Sequence, residues 1–199
     1  MKYRFSPDKL EFNTVPNPSI SPLRPIPLSA VQREIYIGQQ LDPESPLYNM
    51  GMIFEIEGVL NTERFTQVWN QTVERSDALR IRLSTFNGEA LQAAANIPIP
   101  LVNLDFSDQG NSYQQARDWI QTDLEKSIGL HGDLVESYLI KISAERWIWF
   151  CKQHHIITDA TSFAAIWHQI VSLYNCEQTK SKAEIQSSFL DYVLSLIHI

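Results

Sequence analysis

Apolar and polar positions along the chain follow two rhythms that take turns. Ser29 and Gln32 are spaced as a capping box and predict a helix from about Ala30 to Leu41. A turn-rich link with Pro43 and Pro46 follows, then a strand over Asn49–Glu57 that ends at Gly58. Asn61 or Thr62 can cap a helix whose apolar face is Phe65, Val68, Trp69, Thr72 and Val73. Leu79–Thr85 alternates, with Leu79, Ile81 and Leu83 on one face and Arg80 and Arg82 on the other. Asn87-Gly88 is a hairpin signal, with Ala90–Ala94 as the return strand. Leu101–Asp105 reads as another strand. Ser112 and Gln115 read as a second capping box, opening a helix that carries Tyr113, Ala116, Ile120 and Leu124 and ends near Gly129. Val135–Ile142 and Trp147–Cys151 are strands joined by a turn at Ala144-Glu145. Phe163, Ile166, Trp167, Ile170 and Tyr174 then mark the longest apolar helix face. Ser181 and Glu184 make a third capping box, and Ile185, Phe189 and Val193 mark a last helix.

Strands alternating with helices predict an α/β unit with helices packed on a mixed sheet. The 199 residues, 44% of them hydrophobic, are enough for one domain with a real core. Five of the ten prolines fall in Pro16–Pro27, so residues 1–28 read as an extended lead-in. The net charge of −7 argues against nucleic acid and anionic membrane as partners. No run spans a bilayer and no signal-like stretch follows Met1, and Cys151 and Cys176 do not suggest a disulfide framework. A cytoplasmic location is the expectation.

The candidate chemistry sits where the strand Trp147–Cys151 hands over to the helix. Beyond Lys152 and Gln153 come His154, His155, Ile156, Ile157, Thr158 and Asp159. Successive strand residues point to opposite faces, so the two histidines face apart and cannot easily share one metal ion; no metal is expected. Asp159 falls at the helix start, where free backbone N–H groups favour a carboxylate. A buried histidine beside an N-cap aspartate, with no chemistry, is the plain alternative.

The run His154-His155-Ile156-Ile157-Thr158-Asp159-Ala160 resembles the HHxxxDG motif of condensation domains in nonribosomal peptide synthetases. The pattern also marks a wider acyltransferase superfamily that includes chloramphenicol acetyltransferase. Ala160 replaces the final Gly, and Ala takes positive φ less freely. Leu28 to Tyr36 resembles the family's first motif, in Ser29, Gln32 and the aromatic Tyr36. Arg75 to Leu83 resembles its second, a pattern of Arg-His-Glu, any residue, Leu-Arg-Thr, any residue, Phe. Arg75, Leu79 and Arg80 match it, whereas Ser76, Asp77, Ile81 and Leu83 depart from it. Leu130 to Leu134 fits the loop ahead of the family's central strand loosely, and His131 reads as an exposed loop residue. Several stretches, among them Ala78 to Arg82 and Arg146 to Tyr174, are similar to the condensation domain of a siderophore synthetase.

The resemblance implies a chloramphenicol-acetyltransferase-like two-layer sandwich over residues 29–193, the first half of a two-lobed condensation domain. It implies amide-bond formation between a carrier-bound thioester donor and an amine acceptor, with His155 the catalytic residue. His154, Asp159 and Ala160 would be structural. One arginine of the second motif, Arg80 first and Arg75 second, would pair with Asp159, and a buried aspartate would need such a cation. Implied partners are peptidyl or aryl carrier proteins, the second half of the domain and an adenylation domain. No cofactor is bound directly; the phosphopantetheine arm arrives on the carrier. The alternatives are a non-catalytic carrier-binding half-domain, or another HHxxxD acyltransferase or epimerisation domain. Leu194–Ile199 matches what a transposase-based sequencing adapter encodes, so it is expected to be foreign and to make no specific contact.

Overall fold

The computed structural model describes residues 25–108, 110–176 and 188–197. The lead-in before residue 25, the Ser181–Glu184 capping box, Ile185 and His198 lie outside the described residues. Among the described residues seven strands and five α-helices follow one another. They are β1 (Ile26–Pro27), α1 (Ala30–Leu41), β2 (Asn49–Glu57), α2 (Thr62–Arg75), β3 (Ile81–Phe86), β4 (Glu89–Ala94), β5 (Leu101–Asp105), α3 (Ser112–Leu124), β6 (Val135–Ser143), β7 (Arg146–His154), α4 (Ala160–Asn175) and α5 (Phe189–Ile197).

The main sheet has the order β2-β7-β6-β5, antiparallel except for the parallel β5–β6 pair, so it is mixed. A small sheet, β1-β4-β3, is closed by the Asn87-Gly88 turn, where both residues take positive φ as a tight hairpin of this type requires. β7 is central and buried on both faces. Trp149 and Cys151 enter a core shared with Phe65 and Trp69 of α2 and with Phe163, Ile166 and Ile170 of α4. Ile148 and Phe150 enter the opposite core with Ala116 and Ile120 of α3. Phe54 stacks on Trp149 and Trp167, joining β2, β7 and α4 through rings 4.2–5.2 Å apart.

Five local expectations change. Ser112 opens α3, but the residue before it, Asn111, takes φ 64°, and no capping box forms; Gln115 instead donates to the Gly110 carbonyl. α3 also stops at Leu124 rather than near Gly129, because Asn49 Nδ2 donates to the Leu124 and Lys126 carbonyls and ends the helix. Ala78–Arg80 is a single 3₁₀ turn, so β3 starts at Ile81. Arg82 is not a solvated strand residue: it is buried and forms an ion pair with Asp133. The foreign-tail expectation of no specific contact fails at Leu194, which packs on the main core, and α5 runs through Ile197. Asp77 accepts hydrogen bonds from the Phe189 and Leu190 N–H groups and so caps that helix.

Candidate active site

The two histidines are placed by the end of β7. His154 N–H donates to the Leu134 carbonyl at 2.9 Å, and His155 N–H to the Tyr48 carbonyl at 2.8 Å, so both flanking segments grip the strand as it ends. Ile156 and Ile157 are buried and peg the following turn into the core. Gln32 of α1 donates to the Ile156 carbonyl at 3.0 Å and is itself doubly bonded to Gln92. The capping box at Ser29 and Gln32 is present, so this glutamine caps its own helix and holds the histidine loop.

As strand alternation requires, the imidazoles part company. His154 is fully buried and His155 is exposed. His154 Nδ1 accepts from the Ile156 N–H at 3.1 Å, so Nε2 carries the proton and donates to Gln39 Oε1 at 3.2 Å. Burial, and secondarily the nearby His155, push the His154 pKa down to about 4. His155 Nδ1 lies 2.7 Å from the Thr158 carbonyl, which can only accept. The neutral ring must therefore carry its proton on Nδ1, and Nε2 keeps an unused lone pair.

Asp159 is exposed and N-caps α4, accepting from the Ser162 N–H at 2.7 Å and from the Ser162 hydroxyl at 2.8 Å. Those hydrogen bonds, led by the backbone one, hold its carboxyl below the usual range, with a smaller contribution from His155. The expected arginine is not there: among the described residues Asp159 is in no ion pair, and Arg80 gives its guanidinium to the Val73 and Ala95 carbonyls. An exposed carboxylate already bonded by a helix start has no need of a cation. Arg75 ends α2 and is likewise in no ion pair with Asp159. Ala160 is the first residue of α4 and does not take positive φ, so glycine's extra freedom is not required there.

Sequence reasoning missed two features near the motif. Gln39 is buried under His154 but reads as one more polar residue of an amphipathic helix. Lys152 is 1% exposed and bonded to Asp123 and Glu136. A signal for it existed, since Glu136 stands directly opposite Lys152 in the β6–β7 ladder. Among the described residues no three His, Cys, Asp or Glu side chains converge as metal ligands.

A family model described as the condensation domain matches residues 23–197. The chain belongs to the condensation-domain family. It is 34% identical over 166 residues to tyrocidine synthase 3 of Brevibacillus parabrevis, matching 80% of this chain and 2% of that protein. It is 26% identical over 154 residues to enterobactin synthase component F of Escherichia coli K12, matching 75% and 12%. The starter condensation domain of rhizomide synthetase superposes with a TM-score of 0.83 at 27% identity, over 88% of this chain and 44% of that one. The chain thus spans less than half of the solved condensation domain and a small part of each curated relative. The chloramphenicol-acetyltransferase-like fold of these condensation domains is the fold of this chain.

Proposed function

We propose that the complete protein forms an amide bond between a carrier-bound thioester donor and an amine acceptor, and that residues 29–193 supply the first lobe of the domain that does so. The observation that carries this reading is the His155 ring. Its Nδ1–H is committed to Thr158 O, and among the described residues its Nε2 has no hydrogen-bond partner, on an exposed strand end. The acceptor amine would donate an N–H to that lone pair as its nitrogen attacks the thioester carbonyl. The C–N bond forms, the C–S bond breaks, and the thiol leaves with a proton that His155 has relayed. Asp159 takes no part in proton transfer, because its carboxylate is held by Ser162 and the start of α4.

The thioester would reach the site on the phosphopantetheine arm of a peptidyl or aryl carrier protein, and an adenylation domain would load that carrier. The likeness to enterobactin synthase component F supports a siderophore product. The exposed Val31, Ile37 and Leu41 of α1, with Leu47 just beyond, support a partner surface for the second lobe or a carrier. A relative solved with C8-CoA and Leu-SNAC supports acyl transfer as the reaction class.

The test loads donor and acceptor carriers, adds the full-length protein, and follows the condensed product by mass spectrometry. His155→Ala is expected to lower the rate by about 10²-fold or more, the range for losing a positioned acid or base. Unchanged turnover would leave the motif structural. A carrier-binding half-domain without turnover is the second reading. Residues 1–199 alone are expected to give no product; product from them would instead favour a compact stand-alone HHxxxD acyltransferase.

A further inference from the structure

His154 does no chemistry in that scheme, yet its ring is held as tightly as any group in the molecule, and the group that holds it is Gln39. The Gln39 side chain is almost completely buried. Its Nε2 faces three backbone carbonyls, Asp42 O at 3.0 Å, Pro43 O at 3.1 Å and Ser45 O at 3.1 Å, with Ser127 Oγ at 3.4 Å. Its Oε1 faces His154 Nε2 at 3.2 Å. The amide cannot be turned round: its oxygen would then meet the three carbonyl oxygens, and its NH₂ would meet a ring N–H. The His154 tautomer cannot be exchanged either, because Ile156 N–H occupies Nδ1.

Two paths run from this amide to the backbone of His155. One passes through the His154 ring to Ile156 N–H, the next residue along. The other passes through the 42–45 turn to Tyr48, whose carbonyl accepts the His155 N–H at 2.8 Å. The second path is packed as well as bonded. The Tyr48 ring lies 5.9 Å from that of His154 and reaches under α1 at Gly38, where an added Cβ would collide with the tyrosine oxygen. Gly38 and Gln39 are thus adjacent answers to one problem, which is to bring the chain after α1 down onto the end of β7.

We propose that Gln39 is a positioning residue for His155. By fixing the His154 ring and the 42–48 segment together, it holds the His155 backbone where Thr158 O can accept a hydrogen bond from Nδ1–H, so that Nε2 stays an acceptor. The consequence for amide formation rests on the reading of His155 given above; the positioning itself does not.

The test therefore reads tautomers first and turnover second. Long-range ¹⁵N–¹H correlations of the histidine rings, recorded on the full chain above pH 7, distinguish Nδ1–H from Nε2–H. The wild type is expected to show Nε2–H for His154 and Nδ1–H for His155. Gln39→Met removes both the acceptor and the donors, and His155 is expected to lose its single tautomer. Gln39→Glu keeps an acceptor for His154 but loses the donors to the three carbonyls. It is expected to retain Nε2–H on His154 while the His155 signature weakens. In the full-length protein either substitution is expected to lower amide formation by up to about 10²-fold, the cost of a reacting group displaced by about 1 Å. An unchanged His155 signature in folded Gln39→Met overturns the proposal. Should that variant fail to fold, Gln39→Glu decides alone, and a His155 signature as sharp as the wild type's overturns it in the same way. Wild-type His154 protonated on Nδ1 also overturns it. Tautomers that shift as expected without loss of turnover leave the positioning standing and sink the chemical role of His155.

Discussion

Lys152 and His155 lie three residues apart at the end of one strand and meet opposite fates. The Lys152 ammonium has three protons and spends all of them: on Asp123 Oδ2 at 2.9 Å, on the Asp123 carbonyl at 3.0 Å, and on Glu136 Oε2 at 2.7 Å. It is sealed between β7, β6 and α3. Tyr138 completes that cluster; its hydroxyl donates to Glu136, and burial first, with the two carboxylates behind it, pushes its pKa upward. His155 spends one ring nitrogen and keeps the other open to solvent. The charged cluster is the more conspicuous group, but all three protons of its ammonium are used. Chemistry needs an unspent one, so the neutral ring marks the site and the ion cluster marks the scaffold.

The largest way to break this contrast is Lys152→Met. The substitution leaves the buried Asp123 carboxylate without its ammonium, next to the partly exposed Glu136, a loss of about 3–5 kcal/mol for breaking a buried ion pair on one side. Urea denaturation measures it. Turnover per folded molecule is expected to be unchanged, the reverse of the pattern expected of His155→Ala. Should Lys152→Met abolish turnover while leaving stability intact, the assignment of scaffold and site would be inverted.

His154 sharpens the contrast from between the two. As a neutral ring it has both nitrogens spent, so a second proton has no acceptor: it would meet the Ile156 N–H. The pKa is about 4 against an ordinary 6.5. Above pH 6.5 neither the folded nor the unfolded chain is protonated there, and His154 contributes no pH dependence. As the pH falls from 6.5 to 4, the unfolded chain takes up the proton first, and stability is lost across that window. The gap is worth about 3 kcal/mol. Urea midpoints at steps from pH 8 to pH 4 measure it, with His154→Gln giving the background of the exposed histidines. Asp105, held at about 2 by Ser107 and Lys141, acts only below pH 4 and stays out of the window. A flat wild-type profile would mean that the His154 ring accepts a proton in place.

How much of this could be read from the residues follows from how local each interaction is. α2 falls where its periodicity put it, because a single buried face decides it: Phe65, Val68, Trp69, Thr72 and Val73 are all buried. The division between His154 and His155 was legible for the same reason, since strand alternation is local. Lys152 was legible only in part: Glu136, 16 residues away, stands opposite it across the β6–β7 hairpin, but nothing local to the strand brings in Asp123, 29 residues away on α3. Asn111 was not, because a left-handed residue displaced the cap that Ser112 and Gln115 appeared free to form. Gln39 was hidden by composition: a glutamine in a helix looks solvated until the chain beyond the helix folds back over it.

The smallest expected effect bears on the expectation that failed. The pairing of Asp159 with Arg80 is implied by the family resemblance and seconded by the cost of a buried carboxylate without a cation, a cost that arises only if the carboxylate is buried. Asp159 is exposed and spends its oxygen on Ser162; Arg80 spends Nε and Nη1 on the carbonyls of Val73 and Ala95. Each is satisfied by backbone or a near neighbour, so each should be worth something alone and nothing extra together. Asp159→Ala removes an N-cap and is expected to cost about 1 kcal/mol. Arg80→Ala leaves two carbonyls short of a donor and is expected to cost about 1–3 kcal/mol. In a double-mutant cycle the two losses should add within about 0.5 kcal/mol, the limit for sites that share no partner. A coupling well beyond that would show that the carboxylate and the guanidinium meet in solution. The arginine would then belong to the bracing of the histidine loop, and the division between spent and unspent groups would have to be redrawn around Asp159.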